Sequence, residues 1–85
     1  MLRRMYVTER ILDIKDIEEL IRVRNRMNCN IYVIDNEERI NIDEFYNHSN
    51  RYIPENTYFY VTCNNQLNLE VVRFMYNFFR NGDIG

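Results

Sequence analysis

Glycine and proline are scarce in this 85-residue chain, two and one respectively, so turns must be made without the residues that make them most readily. Thirteen asparagines compensate, among them Asn28, Asn30, Asn36, Asn64 and Asn65, because asparagine tolerates the left-handed conformation a turn needs. Tryptophan is missing. One histidine, His48, gives no local support for a Ser-His-Asp or Cys-His centre, and no metal-spaced ligands or phosphate-cradling glycine loop accompany it. Two cysteines, Cys29 and Cys63, are too few for a disulfide scaffold and too far apart for a CxxC motif, so they read as buried free thiols. No apolar run approaches the roughly 20 residues that span a bilayer, and nothing resembles a signal peptide. A cytoplasmic protein is the expectation, with no membrane contact, no cofactor and no metal.

Eleven basic and thirteen acidic residues leave a formal charge of −2, which offers no general electrostatic attraction for nucleic acid. A hydrophobic fraction of 46%, spread along the whole chain, is enough for one small folded domain over residues 1–85. Met5 to Ile11 begins as a short strand, with Met5 and Val7 alternating against Tyr6 and Thr8. Asp16 with Glu19 reads as a capping box opening a helix to Met27, in which Arg24 falls on the apolar arc and must snorkel or pair. Asn30–Asp35 and Glu38–Ile42 form a predicted hairpin turning at Asn36–Glu37. A short helix or turn follows from Asp43 to Tyr52, then a strand from Thr57 to Cys63. A last helix, capped by Asn68 and ended by Gly82, runs to about Arg80. This order predicts an α/β (α+β) open-faced sandwich, β-α-β-β-(short α)-β-α, whose antiparallel four-stranded sheet has helices on one face.

The stretches NIYVIDNEERINIDEF, TYFYVTC, MYVT and LEVVRFMYNFF resemble, in order and spacing, the strands and last helix of HPr, the phosphocarrier of the sugar phosphotransferase system. The resemblance implies a His-Ala-Arg-Pro signature at the start of the first helix, where helix amides and an arginine hold a phosphohistidine. Asp13 stands at the histidine position here, Lys15 at the arginine position and Asp16 at that of the proline. Two carboxylates would repel phosphate, and lysine lacks arginine's bidentate grip, so the simpler reading has both aspartates competing to cap the helix. The resemblance also implies a regulatory serine at the start of the short helix. Glu44 occupies that position, either as a partial phosphoserine stand-in or as an ordinary acidic residue at a helix start. The expectation is a non-enzymatic HPr-like binding or regulatory protein. The alternatives are a phosphocarrier using Asp13 or His48, and a ferredoxin-like module that binds nucleic acid.

Two surfaces are candidates for contact. If Ile31, Val33, Ile40, Ile42, Phe59 and Val61 face the helices, alternation sends Tyr6, Tyr32, Ile34, Tyr58 and Tyr60 to the open sheet face. That face suits a protein partner or stacked bases, or else is simple cross-strand aromatic pairing. On the last helix, Leu69, Val72, Met75, Tyr76 and Phe79 suit the core, while Val71, Phe74 and Phe78 form a second stripe. That stripe is expected to mediate self-association or to fit a partner's groove, unless a wider core takes in both stripes.

Overall fold

The computed structural model describes residues 2–48, 52–64 and 69–81. Along these residues run strand β1 (Leu2–Val7), helix α1 (Ile14–Met27), strands β2 (Cys29–Asp35) and β3 (Glu38–Asn41), helix α2 (Ile42–His48), strand β4 (Tyr58–Cys63) and helix α3 (Leu69–Asn81). The fold is α+β: an open, wholly antiparallel sheet in the order β1-β4-β2-β3, with three helices. One core joins the inward side chains of β2 and β4 (Ile31, Val33, Phe59, Val61) to Ile17, Leu20 and Val23 of α1. Ile42 and Phe45 of α2 and Met75 and Phe79 of α3 complete the same core.

β1 starts earlier and stops sooner than its alternation suggests. After Val7 the chain turns to meet the end of α3: the Glu9 amide donates to the Phe79 carbonyl at 2.8 Å. The buried Thr8 hydroxyl donates to the Arg10 carbonyl, also at 2.8 Å. α1 opens at Ile14 because Asp13, not Asp16, is its N-cap. It ends at Asn28, whose φ of 54° is the left-handed C-cap that asparagine adopts in place of glycine. Arg24, the misfit on the apolar arc, resolves its position by pairing: it forms an ion pair with Asp43 at the start of α2. Ile42, expected at the end of a strand, is the first residue of α2 and is fully buried. The expected caps of the last helix, Asn68 and Gly82, and the turn residue Asn65 lie outside the described residues.

The β2–β3 hairpin turns at Asn36–Glu37 as its sequence suggests. Both residues have positive φ, 51° and 69°, between the paired Asp35 and Glu38. A two-residue turn of this hand is normally finished by glycine, and a side chain at φ 69° is sterically costly. Glu37→Gly is therefore expected to stabilise the fold by about 1 kcal/mol, seen as a higher urea midpoint at unchanged slope. An unchanged or lower midpoint would show that Glu37 carries a contact that offsets its strain.

Candidate functional site

The start of α1 carries Asp13, Lys15 and Asp16, the first group of site residues expected from the sequence. Asp13 has extended backbone geometry (φ −92°, ψ −176°), and its Oδ1 accepts from the Asp16 amide at 2.9 Å. Asp16 Oδ2 accepts in return from the Asp13 amide at 3.0 Å, closing a capping box. The Asp16 amide bond, with a smaller contribution from the Lys15 amide and charge, holds the Asp13 carboxyl below its ordinary value of 3.8. Arg10 completes the arrangement. Its Nη1 lies 3.1 Å from Asp16 Oδ2, and its Nε donates to the Phe78 carbonyl at 2.8 Å. Its guanidinium also sits 4.6 Å from the centre of the Phe78 ring.

The amides of Asp13 and Asp16 are thus engaged by the chain's own carboxylates, and the nearby guanidinium is spent on Asp16 and on the end of α3. Arg10 carried no signal in the sequence, because its partner Phe78 is 68 residues away. The lowered Asp13 value sets the sign of a pH effect. The capping contribution is complete above pH 3.8 and is lost as pH falls through the lower folded value. In urea titrations the gap between wild type and Asp13→Ala should therefore hold at neutral pH and narrow in acid below 3.8. A gap independent of pH would contradict a charged cap.

His48 ends α2 and is exposed, and Glu44 is exposed in the first turn of α2. Among the described residues no group of three His, Cys, Asp or Glu side chains is placed to hold a metal ion.

The sheet's uncovered face is the second candidate. Register places Met5 opposite Tyr60 and Tyr60 opposite Tyr32 in one rung across β1, β4 and β2. Val7 pairs with Tyr58, and Ile34 with Arg39. The Tyr32 and Tyr60 rings lie 6.2 Å apart, tilted by 34°. The Arg39 guanidinium is 5.1 Å from the Tyr60 ring centre and 5.7 Å from that of Tyr32, so a cation lies over the aromatic pair. Met5 and Tyr58 are 55% and 54% exposed. Tyr32, Ile34, Tyr58 and Tyr60 therefore lie where alternation put them.

Tyr6 does not. It pairs with the buried Phe59 and packs on Phe79 at 5.6 Å, which places it on the helix side, where burial raises its phenol above the usual range. Met5 and Val7, expected inside, take the open face instead.

The expected helix interface is also corrected. Val71 and Phe78 are buried in the core, and Phe74 packs half-buried against it, stacked on Phe78 at 5.4 Å. Leu69 and Tyr76, expected inside, are exposed. The wider core takes in the second stripe, so Val71, Phe74 and Phe78 do not form the partner surface expected of them.

No protein-family model matches the chain, and neither the curated proteins nor the solved structures contain a match to it. Among the described residues no helix is long and apolar enough to cross a membrane.

Proposed function

We propose that this chain is an HPr-like binding protein that carries no phosphate and engages a protein partner through the open face of its sheet. The observation that carries this reading is the uncovered rung of Met5, Tyr60 and Tyr32 with Tyr58, Val7 and Ile34 beside it. Tyrosines on an uncovered sheet face, Tyr58 exposed and Tyr32 and Tyr60 half-exposed beneath an arginine, are the kind of side chains that anchor protein interfaces, because they bury large area at low entropy cost. The element order β-α-β-β-α-β-α agrees with the resemblance to HPr. The self-capped start of α1 supports loss of the carrier role, since phosphate on Asp13 would displace the Asp16 amide and face the Asp16 carboxylate. Glu44, at the regulatory-serine position, adds a fixed negative charge at the start of α2.

A second reading has a specific observation in its favour. Arg39 over the Tyr32–Tyr60 pair, with Arg3 and no carboxylate at the paired open-face positions of the sheet, is a pattern that also stacks single-stranded bases. The net charge of −2 and the aliphatic Met5, Val7 and Ile34 favour protein. The experiment has two arms. Phosphoenolpyruvate and the first enzyme of the phosphotransferase system, with authentic HPr as control, should leave this chain unlabelled. Label on Asp13 or His48 would overturn the non-carrier reading. Titration with fluorescent oligonucleotides should show no binding that Tyr32→Ala and Tyr60→Ala remove; salt-dependent binding lost in both would replace the protein partner with nucleic acid.

A further inference from the structure

Cys29 and Cys63 are separated by 34 positions in sequence yet are direct partners in the β2–β4 register. They form the last rung of that ladder, and both point into the core, at 6% and 1% exposure. Directly opposed residues of antiparallel strands have Cα atoms about 4.5 or 5.5 Å apart, and both spacings fall within the roughly 4.4–6.8 Å range of a disulfide.

Two neighbouring residues place this buried rung at the end of the sheet. Asn28 before Cys29 and Asn64 after Cys63 are exposed, so the pair closes the sheet at its surface end. Fraying of one terminal rung, a low-cost local opening, is enough to admit a small reagent without unfolding the core.

We propose that Cys29 and Cys63 are a reversible dithiol pair that closes to a cross-strand disulfide in place when a low-molecular-weight disulfide is the oxidant. The Cys63 thiolate attacks one sulfur of the small disulfide, forming a mixed disulfide and releasing one small thiol. The Cys29 thiolate then attacks the Cys63 sulfur and expels the second small thiol. The protein loses two protons and two electrons; the small disulfide accepts both electrons and both protons and becomes two thiols. Burial, with the neighbouring Cys63, pushes the Cys29 thiol up to about 12, and burial raises Cys63 as well. Thiolates are accordingly scarce in the closed state, which makes the exchange slow and dependent on opening of the rung. The bond would close a loop containing β3 and α2 and fasten the two central strands of the sheet, independently of whether the open face binds a partner.

The full chain is incubated natively with oxidised glutathione in mildly alkaline buffer, alkylated, and followed by intact mass, peptide mapping and thermal melting. The expected product is a monomer lighter by two hydrogens, with Cys29 linked to Cys63, a raised melting midpoint, and full reversal by dithiothreitol. A stable glutathione adduct, an intermolecular dimer, or thiols that stay reduced would overturn the proposal. A linked product with a lowered midpoint would also overturn it, because the pair would then not be set at disulfide geometry. Cys29→Ser and Cys63→Ser serve as controls: neither should show the midpoint rise, and a rise in either would place its origin elsewhere.

Discussion

Phe79→Ala is expected to cost about 3–5 kcal/mol of stability, the largest effect of any single substitution considered. Phe79 is 1% exposed and touches three aromatic rings: Phe59 at 4.5 Å, Phe78 at 5.5 Å and Tyr6 at 5.6 Å. It joins α3 to both β4 and β1, so its removal opens a cavity between layers that backbone movement cannot close without breaking other contacts. An 85-residue domain has on the order of 4–13 kcal/mol in total, so the variant should be largely unfolded or have a much reduced urea midpoint. Phe78→Ala should fall in the same class, because Phe78 is 2% exposed and also receives Arg10. A loss below about 1 kcal/mol at both sites would mean that α3 packs elsewhere and that the stripe is a surface after all.

Met5→Thr combined with Tyr58→Thr is expected to weaken binding of the partner by on the order of a hundredfold or more while leaving the fold intact. Two anchors in one interface are each worth about 2 kcal/mol or more, and each 1.4 kcal/mol is a factor of about ten. Threonine keeps strand propensity at both positions and removes the contact area. Both side chains are more than half exposed, so stability should change by about 0.5 kcal/mol or less. Calorimetry against the isolated partner, alongside urea unfolding, separates the two effects. Wild-type affinity in a folded double variant would remove the open face as the binding surface.

Much of the fold was legible from period-two alternation. Ile31 and Val33, and Phe59 and Val61, face inward as their spacing required, and the hairpin turns at Asn36–Glu37. β1 had the right period with the wrong phase. Met5 and Val7 are more apolar than Tyr6, but pairing of Tyr6 with Phe59 sets the phase, and Phe79 gives the tyrosine ring something to cover. Along α3 the buried residues Val71, Met75, Phe78 and Phe79 fall at i, i+4, i+7 and i+8, a single arc that the sequence reading split in two. Its width became clear only once a sheet lay beneath it. The capping of α1 was legible in kind and displaced by three residues, since Asp13 and Asp16 both suit the role. Arg10, Arg39 and the Cys29–Cys63 rung depend on partners distant in sequence, and no local pattern announces them.

Position-specific photo-crosslinking tests the binding claim most directly. A benzophenone side chain is placed at Met5 or Tyr58 on the open face, and at Arg22 on the exposed side of α1 as control. In cells producing the chain, the open-face positions should each yield the same discrete crosslinked protein, suppressed by threonine at the other open-face position, while Arg22 yields none. Equal crosslinking from all three positions, crosslinks confined to Arg22, or crosslinks from the open face to nucleic acid would contradict the account.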